Sequence, residues 1–158
     1  MILRGSGKDG VTLTTRVDLI ENVTSEDCMK IMVGYNGLKT SQKGIDLAMA
    51  HAKAFNGRIV LVASMDKATD DDPASIDDME KQLEDAKKDI ADQGIACETR
   101  LLVRGLTPGE DIVDYAREHH IGEIILTIQQ TSKVGKIVFG SSSQYVILHA
   151  DCPVVTIK

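Results

Sequence analysis

The chain has 158 residues, of which 42% are hydrophobic, 27% charged and only 3% aromatic, with a formal net charge of −6 at pH 7. A chain of this size buries one aliphatic core without a disulfide or a metal, and its acidic balance weighs against nucleic acid or an anionic membrane as a partner. No apolar run reaches the ~20 residues that span a bilayer, and the opening MILRGSGKDG lacks the apolar stretch of a secretory leader.

Residues 1–28 are the least patterned part of the chain. Val11, Leu13, Thr15 and Val17 alternate with Thr12, Thr14 and Arg16, the period of a half-exposed strand, so Val11–Val17 is expected as an additional edge strand on an N-terminal extension. Glu21 to Asp27 is polar and linker-like. Met29 to Val33 begins a clean apolar strand that ends at Asn36-Gly37, a turn signal. Thr40 or Ser41 is placed to cap a helix to about Phe55, with Ile45, Ala48, Met49, Ala52 and Phe55 on one face. Asn56-Gly57 stops it. Ile59 to Met65 is a second strand, and Asp66 to Pro73 an acidic loop.

Ser75 with Asp78 has capping-box spacing, and Ile76, Met79, Leu83, Ala86 and Ile90 then step by threes and fours to a stop at Gly94. Ile95 to Val103 is a third strand. Thr107-Pro108-Gly109-Glu110 starts another helix: a threonine cap, proline at the first position and an acid at the third. Ile112, Val113 and Ala116 form its buried face, and His119-His120 finish it. Ile124, Ile125 and Leu126 read as a fourth, buried strand. A polar loop leads to Gly140-Ser141-Ser142-Ser143, Tyr145, Val146 and Leu148 sit at helical spacing, Cys152-Pro153 breaks the helix, and Val154 to Ile157 is a last strand.

This alternation predicts one α/β domain over 29–158, a doubly wound, mostly parallel sheet of about five strands with helices on both faces. Ligands in such sheets sit at the carboxyl ends of the strands where the strand order reverses. The turn at Asn36 and the loop from Thr127 should therefore face each other. The helix that opens at Gly140 presents unpaired backbone N–H groups, which suit an anion such as phosphate.

Each candidate has a plainer structural reading. Ser141, Ser142 and Ser143 suit phosphate, yet serines at a helix start are most often caps. Asn36 suits a ribose or base, yet asparagine before glycine is a common turn former. His119 and His120 suit a helix C-terminus. His51 and His149 have no acid or cysteine at ligand spacing and receive no chemistry. The acids Asp66, Asp70, Asp71, Asp72, Asp77 and Asp78 lack the spacing of a calcium loop and read as solvated. Cys28, Cys97 and Cys152 are odd in number and widely spaced, which fits a reducing cytoplasm and neither a disulfide framework nor a zinc site. Cys152 reads as core. No hydrolase signature occurs.

In KIMVGYNG, VRGLTPGEDIVDYAREHHIGEIIL and VFGSSSQYVILHADCPVVTIK, in that order and spacing, the chain resembles the universal stress protein family over about residues 29–158. The resemblance implies an adenine-nucleotide alpha-hydrolase-like, Rossmann-like fold and a cytoplasmic homodimer joined through the last strand, here Val154, Val155 and Ile157. Some members bind ATP through the pattern G-x2-G-x9-G-(S/T), and others lack it. Here the first two glycine positions are Thr127 and Gln130, and only Gly140-Ser141 remains. Asn36 replaces an acid that often ends the first strand, and Leu38 a small hydroxyl residue.

A side chain where glycine stood narrows the backbone's approach to phosphate, and a left-handed Gln130 would cost about 1 kcal/mol. Lys133 and Lys136 stand in the same loop as mobile counter-charges. Two readings follow. One is a regulatory, stress-associated protein holding ATP or AMP, with magnesium only alongside the nucleotide, at Asn36, Ser64, Thr127, Gln130, Gly140, Ser141 and Ser142. The other is a dimeric interaction module for an unidentified protein partner, its pocket closed by Thr127 and Gln130. Catalysis is not expected, with slow ATP hydrolysis left open. A response-regulator phosphotransfer would need acids where Asn36 and Arg104-Gly105 stand.

Overall fold

The computed structural model of the protein describes residues 28–37, 41–65, 73–128 and 140–158. The edge strand expected at Val11–Val17 lies outside these residues, as do Leu38, Thr40, Asp66, Asp70, Asp71, Asp72, Gln130, Lys133 and Lys136. Strands β1 (Lys30–Gly34), β2 (Arg58–Ser64), β3 (Cys97–Leu102), β4 (Glu123–Thr127) and β5 (Val154–Ile157) alternate with helices α1 (Ser41–Phe55), α2 (Pro73–Ala91), α3 (Pro108–Glu118) and α4 (Ser141–His149). The strands form one sheet in the order β3-β2-β1-β4-β5, and every pairing is parallel. The order reverses between β1 and β4, which makes the sheet doubly wound.

Alternation along the strands divides the core in two. Ile31, Val33, Ile59, Leu61, Ala63 and Ile125 face α1 and α2, where Ile45, Ala48, Ala52, Leu83 and Ile90 meet them. Met32, Val60, Val62, Ile124 and Leu126 face the other way, against Ile112, Val113, Tyr115 and Ala116 of α3 and Val146 of α4. A strand buried on both faces is apolar at successive positions, which is why β1, β2 and β4 read as unbroken runs.

Several local expectations shift. Phe55 is 59% exposed and leaves the α1 core face, because the helix ends there and the chain turns away. The left-handed residue at that stop is Asn56 (φ 50°); Gly57 serves instead as a close approach, since a Cβ on it would lie 2.8 Å from the Met29 carbonyl oxygen. Helix α2 begins at Pro73, so Ser75 lies inside it rather than capping it; proline suits the first helical position, where no N–H is needed. Leu148 is 68% exposed, whereas Val146 alone anchors α4 in full burial. Gly94, at φ +75°, ends α2 as expected.

Candidate functional site

The carboxyl ends of β1, β2 and β4 open into a cleft of about 320 Å³. Tyr35 and Asn36 border it from the end of β1, Ser64 from β2, Thr127 from β4, Pro108 and Ile112 from α3, and Ser142 and Ser143 from α4. The turn after β1 and the end of β4 thus meet at one cleft, as the strand order requires.

Asn36 and Ser41 are joined: the buried Ser41 hydroxyl donates to Asn36 Oδ1 at 2.7 Å. Gly37 follows in the left-handed region at φ +72°. Asn36 therefore shapes the β1–α1 turn and borders the cleft at once. Ser41 spends its hydroxyl on this link rather than on capping α1. Burial raises the Tyr35 phenol above its ordinary 10.0, and Asp85 adds to the shift, so Tyr35 carries its proton at neutral pH.

Thr127 borders the cleft at the end of β4. Its hydroxyl is buried on the α1 side, where a Cβ on Gly44 would come within 2.9 Å of Oγ1, and it has no hydrogen-bond partner among the described residues. The missing side chain of Gly44 makes room for the one that Thr127 adds.

Gly140 is the N-cap of α4 at φ −63° and ψ 156°, a conformation open to any residue, and a Cβ there would meet nothing within 4 Å. Having no side chain, it leaves the cap unmade, so the three serines occupy the first helical turn and do not cap it. Gly140 and Ser141 are exposed and stand outside the cleft lining, which takes Ser142 and Ser143 instead. The first intrahelical bond runs from the Gln144 N–H to the Gly140 carbonyl at 2.9 Å. The N–H groups of Ser141, Ser142 and Ser143 precede it and have no partner within the helix.

Helices α3 and α4 come together at Gly109, where a Cβ would lie 3.0 Å from both the Ser142 carbonyl oxygen and Tyr145 Cβ. This close approach brings Pro108 and Ser142 to the same cleft. The start of α3 is held locally: the Thr107 N–H and hydroxyl donate to Glu110 Oε2 at 3.0 and 2.7 Å. The Thr107 hydroxyl, then its N–H, hold the Glu110 carboxyl below the ordinary range. That contribution to stability is present above the unfolded pKa and is lost as pH falls through the folded one.

Asp111 was not legible as a site residue. It is wholly buried, and its Oδ2 accepts the Ser64 hydroxyl at 2.6 Å. Its Oδ1 has no partner among the described residues, and an unmade bond of this kind costs about 1–3 kcal/mol. The available signal was an acid beginning the apolar stripe of Ile112, Tyr115 and Ala116. Away from the cleft, His51 Nδ1 lies 2.7 Å from Glu123 Oε2, so the histidine without an acid at local spacing does have one across the fold. No group of three or more His, Cys, Asp or Glu side chains among the described residues is placed to hold a metal.

A parallel sheet of this order, with a hydroxyl-lined cleft at its switch point, defines a doubly wound α/β domain. Residues 28–158 match the model of the universal stress protein family, and the chain belongs to that family. Similar proteins include a universal stress protein in the QAH/OAS sulfhydrylase 3′ region of Thermus aquaticus, 28% identical over 134 residues, 81% of this chain and 97% of the relative. A universal stress protein from Archaeoglobus fulgidus superposes with a TM-score of 0.72 at 30% identity, over 82% of this chain and 93% of that one. An Archaeoglobus fulgidus universal stress protein in complex with dAMP gives a TM-score of 0.71 at 29% identity, over 82% and 98% of the two chains. The protein is therefore a stress-response domain of this family, and among the described residues no helix is long and apolar enough to cross a membrane.

Proposed function

We propose that this domain is a cytoplasmic regulatory protein that holds an adenine nucleotide, ATP or AMP, in the cleft between the ends of β1 and β4. The observation that supports this most is the convergence of Ser64, Ser142 and Ser143 on one cleft beside the α4 N–H groups that have no partner within the helix. That helix start accepts phosphate through backbone donors and its partial positive charge. Ser142 and Ser143 add hydroxyl donors, while Asn36 and Tyr35 border the sugar. The dAMP-bound relative gives the ligand class. Magnesium enters with the phosphates and not before them.

Titration calorimetry with ATP and AMP, with and without magnesium, tests the proposal. Binding should raise thermal stability, by about 2.7 kcal/mol when free ligand stands at a hundredfold its Kd. Neither heat nor stabilisation at millimolar nucleotide would overturn it.

The same reading includes a homodimer through β5. This strand is an edge of the sheet; Val154, Val155 and Ile157 are only half-buried, and Ile147 and Leu148 of the adjoining α4 are exposed. An edge of this kind is normally paired or covered. Light scattering should give twice the chain mass, reduced to one chain by Ile157→Lys; a wild-type monomer would rule the dimer out.

A further inference from the structure

The hydrogen bond beneath the cleft has a direction, and that direction bears on what the cleft accepts. Asp111 is wholly buried on the first turn of α3, and its Oδ2 accepts the Ser64 hydroxyl at 2.6 Å. A carboxylate only accepts, and a serine hydroxyl has a single hydrogen to give. With that hydrogen committed to Asp111, the Ser64 oxygen meets the cleft with lone pairs alone. The other end of the cleft has the opposite character, since the N–H groups at the start of α4 are donors. Strands β2 and β4 flank β1 on either side, so Ser64 and Thr127 stand two strand spacings apart, about 9–10 Å. Ser64 borders the same cleft as Ser142 and Ser143 of α4, so a nucleotide with its phosphate on the α4 side would extend across the cleft toward Ser64.

We infer that Ser64, oriented by Asp111, is the base-selecting residue of this cleft, taking a purine that presents an amino group and rejecting one that presents a carbonyl at the same position. The inference rests on the nucleotide reading and adds to it the chemistry of selection. The 6-amino group of adenine donates to the Ser64 oxygen. The 6-oxo group of hypoxanthine or guanine sets oxygen against oxygen, and turning the Ser64 hydrogen toward it would leave the buried Asp111 side chain without a hydrogen-bond partner among the described residues. Such a site rejects a ligand lacking the matching group more strongly than an apolar pocket does. Asp111 touches no ligand itself; it is a positioning residue that acts through Ser64.

The test is a comparison of AMP with IMP, which share sugar and phosphate and differ at the base edge, by calorimetry on the full chain. Wild type should bind AMP about tenfold or more tightly than IMP. Ser64→Ala should bring the two within about twofold, and Ser64→Thr, which keeps the hydroxyl, should restore the preference. Asp111→Leu releases the Ser64 hydrogen to point either way and should also collapse the ratio, chiefly by strengthening IMP. Thermal unfolding identifies the variants that fold, and Ser64→Ala carries the test if Asp111→Leu does not. Equal affinity of wild type for AMP and IMP, or a preference unchanged in Ser64→Ala, would overturn this inference and leave nucleotide binding standing. Binding of neither compound at millimolar concentration would instead remove the nucleotide reading and this selection with it.

Discussion

The two ends of the sheet are built on different terms. At the amino ends of the strands, charged groups find partners: Lys30 Nζ donates to the His119 carbonyl at 2.8 Å, Glu123 meets His51 at 2.7 Å, and Arg58 meets Glu98 at 3.3 Å. Arg58 Nε is the exception there, a buried nitrogen without a partner among the described residues. At the carboxyl ends the two oxygens left without a partner, Asp111 Oδ1 and Thr127 Oγ1, both belong to residues at or directly behind the cleft. Buried polar groups in folded proteins are nearly always bonded. The amino end is mostly paired, whereas at the carboxyl end two buried oxygens have no partner among the described residues.

The sharpest way to break this contrast is at Gly109, the joint that closes α3 onto α4 beside the cleft. Gly109→Val drives a branched side chain into the Ser142 backbone and Tyr145, and should cost about 1–3 kcal/mol by denaturant unfolding. Ligand affinity should fall with it, because Pro108 and Ser142 would separate. A smaller loss is expected at the amino end. Glu123→Ala removes the partner of His51, whose side chain is 27% exposed and can turn to water, so the cost is about 1–2 kcal/mol.

At the carboxyl end the sign should reverse. Asp111→Asn replaces a buried carboxyl group, one of whose oxygens has no partner among the described residues, while still able to accept from Ser64, and stability should stay level or rise by up to about 1 kcal/mol. A loss as large as that of Glu123→Ala would show that the two ends are equally structural.

The smallest effect concerns pH and lies at Cys97, the first residue of β3. Burial pushes the Cys97 thiol from its ordinary 9.0 up to about 11. Below 9.0 the thiol is neutral folded or unfolded, and its contribution is fully present. Between 9.0 and about 11 the unfolded thiol ionises first, so stability falls as pH rises. Cys97→Ala should flatten that alkaline decline, and the native thiol should react slowly with alkylating reagents at pH 8.

Much of the fold was legible because the periods were clean. The apolar runs in β1, β2 and β4 carried the parallel sheet, and Thr107 to Glu110 carried the start of α3. Topology placed Asn36 and Thr127 at the carboxyl ends of the strands, and both border one cleft together with Ser64 and Ser142. Ser143 entered the lining in place of Gly140 and Ser141, since which serine of a helical turn faces a cleft depends on how that helix is rotated against α3. Phe55 and Leu148 had apolar character and helical spacing, yet both are exposed, because spacing says nothing about where the neighbouring element ends.

By itself the sequence determined the class of fold and the family. These follow from local periodicity and from the short crossovers that parallel strands demand. Only the tertiary structure decided which polar groups meet. Glu123 comes to His51 across 72 residues and Asp111 to Ser64 across 47, because each pair sits on a helix and a strand that the sheet order brings side by side. Hydrogen bonds have a reach of about 3 Å, so no spacing along the chain can announce a partner that packing alone supplies.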